Sequence, residues 1–422
     1  MAKRKRVLSG MRPTGRLHIG HYFGALQNWL KLQAQQDEYE CFFFIADWHA
    51  LTTHYAEDTQ ALAENTFQVA VDWLSVGLDP AKSIIFVQSQ LLEHAELHLL
   101  LSMVTPLSWL ERVPTYKEQI EQLKDKDLGT YGFLGYPLLQ AADIVMYGEP
   151  RAGLLVPVGE DQVPHIELTR EIVRRFNANF GFQMHEEFQR DETAVQSIAD
   201  LLPKLGGAPF EEFTDVYRRS ISGYAAEIGV DNFLKKAGKH KKYFSFKPVL
   251  REPAAMLTET PRLPGLDGRR MAKSYNNAIW LSEDDDSIRA KVKNMMTDPQ
   301  RVRRQDPGRP EVCPVFAYHK LFSTPETITW SDSGCRTAGI GCIECKAAMA
   351  DHLIRWIEPI RARRREYEAD PDRVSEILRA GSKKAQKVAR KTMRRVREAI
   401  FGTAKPAGTA ESAPAKQAAT GN

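Results

Sequence analysis

The sequence predicts an α/β fold: a Rossmann-like, doubly wound parallel sheet followed by an all-helical C-terminal domain. Three observations predict it. Apolar strand-like runs alternate with helical periods through the first half. A glycine-punctuated loop joins the first run to a helix. From about Glu283 onward the pattern is helical and charged, without clear strands. Strand–helix alternation of this kind places helices on both faces of a parallel sheet.

Val7-Leu8-Ser9 reads as the first strand, and Gly10 to Gly15 as a loop broken by Pro13. Ile19, Phe23, Leu26 and Leu30 then recur at helical spacing. Cys41 to Ala46 is a continuous apolar run suited to a buried parallel strand. Leu62, Val69, Ala70, Trp73 and Leu74 mark a helix, Ile84 to Val87 a third strand, and Leu91 to Val104 a further helix. The expected organisation is a first catalytic part at 1–182, an insertion at 183–247, a second catalytic part at 248–285, a helical domain at 286–402 and a tail at 403–422. The tail is rich in Ala, Pro, Lys and Thr, with no aliphatic side chain larger than alanine, so it is expected to be disordered.

The 422 residues are 43% hydrophobic and 27% charged, an ordinary globular balance. The net charge is only +4, so nucleic-acid affinity has to come from local patches. No apolar run approaches a membrane span, and the basic N-terminus lacks the apolar core of a secretory signal. A cytoplasmic protein with no membrane or DNA partner is expected, and its five cysteines are not expected to pair as disulfides.

Two loops carry the chemistry. Arg12-Pro13-Thr14-Gly15 leads into His18-Ile19-Gly20-His21 at a helix start, where unpaired backbone N–H groups favour anions. Gly20 lacks a side chain, so a nucleotide can pack against the backbone there. The distal loop, Gly268-Arg269-Arg270-Met271-Ala272-Lys273-Ser274, offers three cations for a polyphosphate. Arg270 offers a planar fork and Lys273 a point charge. Tyr136, Gln140, Asp143 and Tyr147 form a polar stripe on an otherwise apolar helix; either water solvates that stripe or a substrate donor meets the carboxylate. Gly159-Glu160-Asp161-Gln162 follows a strand-like run, where ligands of open α/β sheets bind.

His18 to His21 and Arg270 to Ser274 resemble the paired signatures of class I aminoacyl-tRNA synthetases. Arg270 stands where the family has its first lysine, and Ala272 where it has its first serine. The strings Tyr136-Pro-Leu-Leu-Gln-Ala-Ala-Asp143, Pro157-Val-Gly-Glu-Asp-Gln162 and His165-Ile-Glu-Leu-Thr-Arg170 are similar to those of bacterial tryptophanyl-tRNA synthetases. That resemblance implies activation of L-tryptophan with ATP and Mg²⁺, transfer to tRNA(Trp), and a homodimer. It implies that Asp143 accepts the indole N–H, while Gln162, Tyr136 and Gln140 surround the ammonium. Arg12, Pro13, Thr14, Gly20, Gly159, Glu160 and Asp161 would lie against ATP with Met271, Ala272 and Ser274, and His18, His21, Arg270 and Lys273 would act on the reacting phosphates. Tyrosine as the substrate, or an RNA-binding or redox-sensing relative that does not aminoacylate, are the alternatives.

Cys313, Cys335, Cys342 and Cys345 are compact enough for one metal centre. Four thiolates suit zinc or a [4Fe–4S] cluster, and spacing alone does not choose between them. The resemblance extends to a subset of the family with a cluster at a similar motif. Two basic runs complete the picture. Six lysines and no acid fall within 234–247, and eight Lys or Arg and no acid within 382–397, spread around a helix. Such charge attracts an RNA backbone.

Overall fold

The computed structural model describes residues 4–54, 59, 61–114, 116, 129–149, 152–203, 214–258 and 263–402. The tail at 403–422 lies outside the described residues, as does 204–213 of the insertion.

Five strands make one parallel sheet: β1 (Lys5–Met11), β2 (Tyr39–Ile45), β3 (Ser83–Val87), β4 (Leu154–Val158) and β7 (Ala254–Leu257). Their order is β3-β2-β1-β4-β7, with Val7 opposite Cys41 and Leu155 opposite Ala254. The apolar run of β2 is buried on both faces from Cys41 to Ile45, because helices cover both. Chain order reverses between β1 and β4. Loops leaving the C-terminal ends of those two strands therefore border the crevice where such sheets bind ligands. The expected Rossmann-like sheet is present, and beyond Leu257 the described residues carry no further strand.

The core centres on Trp29, stacked on Phe43 at 4.6 Å and edge-on to Trp73 at 5.0 Å. Such aromatic pairs add to simple area burial. The same core runs into Met349, Leu353, Ile357 and Ile360 of the long helix Cys342–Glu368. That helix packs on Ala61–Val76 and places Arg364 against Asp72, both buried. At the sheet edge, β3 meets the helix Pro371–Phe401 at Gly381 and Ser382, whose hydroxyl accepts from Val87 N–H at 3.5 Å. A Cβ on Gly381 would meet Ile85 O at 1.7 Å, so only glycine permits that approach. Covering an edge removes a template for unwanted strand pairing.

The chain divides into two compact units: residues 1–173 with 251–389, and residues 174–250 with the described residues from 390. The second unit has its own core of Phe182, Phe188, Phe233 and Phe244. A short antiparallel pair, β5 (Phe182–Met184) with β6 (Phe244–Phe246), ties the two ends of the inserted segment. Asn177 locks the same place, its Oδ1 accepting from the Val249 and Leu250 N–H groups at 2.9 Å.

One expectation is corrected. The cations of 382–397 do not spread around their helix. Lys383, Lys384, Lys387, Arg390, Lys391, Arg394 and Arg397 are exposed, while Ala385, Ala389, Met393 and Val396 are buried. At about 100° per residue those seven cations fill an arc of about 140°.

Candidate active site

β1 delivers the first loop. Thr14 N–H donates to Arg12 O at 2.9 Å, a tight turn that Gly15 continues with φ of +96°. The chain then enters a helix at Ile19, with His18 at its N-cap. Tyr22–Leu26 is a π-helical stretch, a local widening often found at functional sites. His21 Nδ1 accepts from the His18 backbone N–H at 3.2 Å, which leaves Nε2–H as the donor of a neutral ring. The two imidazoles lie 3.7 Å apart. Burial, then the charges of Lys273 and Arg270, lowers His18 to about 4. Burial, then the neighbouring His18, lowers His21 to about 3. Both rings are therefore neutral hydrogen-bond donors at neutral pH.

Gly20 also makes room for protein side chains. A Cβ there would meet His18 Nδ1 at 2.9 Å and Met271 Sδ at 3.3 Å. In this state the space belongs to His18 and the distal loop.

The distal loop reaches the first one directly. Lys273 Nζ donates to Thr14 O and lies 3.4 Å from Thr14 Oγ1. Burial lowers the Lys273 ammonium to about 8, against the pull of Asp72. Asn277, 2% exposed, sets the loop's shape. It accepts from Ala272 N–H and donates to Asp267 and to Arg270 O. The expected trio of cations is reduced to two. Arg269 is held by Asp267 at 2.6 Å and lies over the Tyr275 ring. Arg270 and Lys273 form no ion pair among the described residues and stay available to an anion.

Asp72 underpins the first loop. Its Oδ2 accepts from Leu17 N–H at 2.8 Å, just ahead of His18, and its other oxygen accepts from Arg364. Burial pushes its carboxyl up to about 6 despite the arginine.

The helix Tyr136–Met146 carries the polar stripe, and water does not solvate it: Tyr136, Asp143 and Tyr147 are buried, and only Gln140 is partly open. Asp143 is 1% exposed and already surrounded by protein donors. His94 Nδ1 lies 2.6 Å from it, His49 Nε2 2.8 Å, and Gln88 Nε2 2.8 and 3.0 Å. Tyr147 OH meets the other His94 nitrogen at 2.8 Å. Burial alone would raise the Asp143 carboxyl, but bonds from His49 and His94 outweigh it and bring it down to about 2. A substrate donor would share or displace one of these partners.

At the end of β4, Glu160–Gln162 is one turn of 3-10 helix. Gln162 is half-buried and donates to Asp161, while Glu160 and Asp161 are exposed. Gly159 lies close to Asp161, whose Oδ1 would stand 2.8 Å from a Cβ there. Arg12 and Tyr136 are electrostatic neighbours, and burial lowers the guanidinium.

Sequence reasoning missed His49, Gln88, His94, Asn277 and Asp72. One signal was available: Gln88 directly follows β3 and His49 follows β2, at the same end of the sheet as the two loops.

The four cysteines lie in one region. Cys345 is raised to about 11 by burial and by Cys313, Cys335 and Cys342, and Cys335 is raised by burial, Cys313 and Cys342. Arg301 Nη1 lies 3.6 Å from Cys335 Sγ, and Lys346 feels Cys342, Cys313 and Cys345. As they stand they do not form a ligand set: among the described residues no group of three or more His, Cys, Asp or Glu is arranged to hold a metal ion.

A parallel sheet with two basic, glycine-containing loops meeting at Thr14 and Lys273 has the architecture of the class I synthetases. The chain belongs to the class I tRNA synthetases (W and Y), whose family pattern matches residues 1–207 and 228–357. It is 49% identical over 413 residues to the tryptophan–tRNA ligase of Ralstonia nicotianae, covering 94% of this chain and 98% of that one. It is similar to the crystal structure of the Campylobacter jejuni tryptophanyl-tRNA synthetase complexed with ADP and tryptophan, with a TM-score of 0.69, 27% identity, and 94% and 99% coverage. The tyrosyl-tRNA synthetase of Archaeoglobus fulgidus shares the fold at a TM-score of 0.51 and 18% identity, covering 86% of this chain and 90% of that one. Fold alone thus does not separate the two amino acids.

Proposed function

We propose that this chain is a tryptophan–tRNA ligase. It joins L-tryptophan to ATP as tryptophanyl-adenylate and passes the tryptophanyl group to tRNA(Trp). The contact of Lys273 with Thr14 carries the reading, because it brings both phosphate-handling loops to one place. The relatives' shared activity supports the choice of amino acid.

In the first step a tryptophan carboxylate oxygen attacks the α-phosphorus. The bond to pyrophosphate breaks, and Lys273 and Arg270 stabilise the departing charge. His18 and His21 donate as neutral rings, so they orient phosphate oxygens without adding net charge. Mg²⁺ arriving with ATP would neutralise part of the phosphate charge. Gly159, Glu160 and Asp161 meet the ribose, with Arg12, Pro13 and Thr14 beside the nucleotide. Asp143 accepts the indole N–H, and Gln162, Tyr136 and Gln140 face the ammonium. In the second step a tRNA ribose hydroxyl attacks the acyl carbon and AMP leaves. A cytoplasmic location belongs to the same proposal. No described helix is long and apolar enough to cross a membrane.

Amino-acid-dependent ATP–pyrophosphate exchange tests the reading. Exchange with tryptophan far above tyrosine supports it. Preference for tyrosine overturns the amino acid, and no exchange with either favours a relative that does not aminoacylate.

Two further assignments belong to the same reading. A second copy of the chain covers the exposed apolar side chains Leu92, Leu99, Met103 and Leu107, each more than half exposed. Sedimentation at a dimer's mass supports it, and a monomer at micromolar concentration contradicts it. The four cysteines hold a [4Fe–4S] cluster, with zinc as the alternative. Their closeness to one another supports a shared centre, and Arg301 Nη1, 3.6 Å from Cys335 Sγ, would offset thiolate charge there. Loading has to draw the thiols into a set, and iron, sulfide and zinc analysis of anaerobically purified protein decides it.

A further inference from the structure

The inserted segment takes no part in the chemistry above, yet its described residues are folded, and its last stretch, 234–247, carries six lysines and no acid. Its helix Val230–Ala237 buries Val230, Phe233 and Ala237 and ends on Lys235 and Lys236. A turn at Gly238–Tyr243 follows, opened by Gly238 at φ +56°. It buries His240 and turns Lys239, Lys241 and Lys242 outward. β6 then buries Phe244 and is followed by exposed Lys247. All six lysines are exposed.

Internal structure does not account for this charge. Lysines at a helix C-terminus favour the helix dipole, which covers Lys235 and Lys236 alone. The ion pairs of this unit join Arg190 to Glu186 and Arg218 to Asp215, and none of the six lysines enters one among the described residues. Asp191, which feels Lys242, is held by the Tyr243 hydroxyl instead. Lys236 Nζ donates to the Tyr224 hydroxyl at 2.9 Å, and the Lys242 ammonium lies over the Tyr243 ring at 4.7 Å, so two of the six have a neutral partner and none an anionic one among the described residues. Exposed Lys391 and Arg394, from the basic face of the last helix, belong to the same unit, and Arg395 there donates to Val249 O.

We propose that the inserted unit is an RNA-contacting module: Lys235, Lys236, Lys239, Lys241, Lys242 and Lys247 bind the phosphate backbone of the tRNA substrate. This rests on the tRNA-ligase reading above. The side chains come from a compact fold with an aromatic core, so binding has to order the lysine side chains and not the backbone that carries them. They read charge, not base sequence. Their contribution is to tRNA affinity and its salt dependence, separate from adenylate formation.

The test uses the full-length protein with Lys235, Lys236, Lys239, Lys241 and Lys242 all replaced by alanine, and a second protein with the same five replaced by arginine. Pyrophosphate exchange, which needs no tRNA, is the control, and thermal unfolding checks the fold. In the alanine protein the tRNA KM for aminoacylation is expected to rise about tenfold or more near physiological salt. The slope of log affinity against log salt should fall by about one for each phosphate that is no longer neutralised. The arginine protein should keep both. A tRNA KM and salt slope equal to the wild type, in an alanine protein that exchanges pyrophosphate and unfolds normally, would overturn the proposal. A wild type that binds tRNA through these lysines but performs no exchange would sink the ligase reading and leave the RNA surface standing.

Discussion

The two ends of the candidate site are built on opposite principles. At the ring end, Asp143 is almost wholly buried and already accepts from His49, His94 and Gln88. At the phosphate end, Arg270 and Lys273 form no ion pair among the described residues, and two histidines are kept neutral. A buried charge must be satisfied inside the protein or it destabilises the fold. Cations on a loop near water need no such partner, and they wait for one that arrives with the substrate. In the proposed reading the ring end is pre-organised, and ATP completes the phosphate end.

The sharpest way to break this contrast is to remove a waiting cation. Lys273→Ala should lower the exchange rate constant about 10²–10³-fold while changing ATP affinity far less, as expected for a group acting on developing charge. Equal losses in both, from exchange kinetics and equilibrium ATP binding, would make Lys273 a simple ground-state contact.

The ring end should respond differently. Asp143→Asn leaves the donors of His49, His94 and Gln88 facing a weaker acceptor. The tryptophan KM should rise about 10–100-fold with the ATP KM nearly unchanged. Stability should shift too. The Asp143 carboxyl sits at about 2, below its usual value of 3.8, so its stabilisation is present above about pH 4 and lost as pH falls through about 2. Acid unfolding of wild type against the asparagine variant measures that difference.

A pH profile sharpens the contrast from the other side. Lys273 must be charged to serve the phosphates, and in the free protein it titrates near 8. The kcat/KM for ATP should therefore fall about tenfold per pH unit above that value. Lys273→Arg should keep its charge and abolish the fall, and a decline that survives the substitution would move the titration to another group.

The smallest effect is expected beneath the loops. Asp72→Asn weakens the link from Arg364 to Leu17 N–H, which fixes the entry to His18. A rise of about tenfold or less in the ATP KM, with the tryptophan KM held, is the expected outcome. Parallel loss of both in steady-state exchange would mean a general loss of structure.

These differences track what was legible in the sequence. His18, His21, Arg270 and Lys273 sit in short contiguous patterns, so the phosphate end is readable from spacing. Arg269 misleads, because the Asp267 that occupies it is visible only as another loop residue. The partners of Asp143 come from three separate segments that meet on folding, and only their places after β2 and β3 hint at a role. The parallel sheet is readable because β2 and β3 are apolar along most of their length. The insertion's β5 and β6 have three residues each, too short to show alternation. The basic face of the last helix was present in its spacing all along, since cations and buried residues separate cleanly at helical periodicity.

The most direct test of the contrast is one set of exchange kinetics, varying ATP and tryptophan independently in wild type, Lys273→Ala and Asp143→Asn. The expected result is a clean separation: the lysine variant loses turnover with the tryptophan KM intact, and the aspartate variant loses tryptophan with the ATP KM intact. If each substitution impairs both substrates alike, the two ends are not independent devices and the contrast fails.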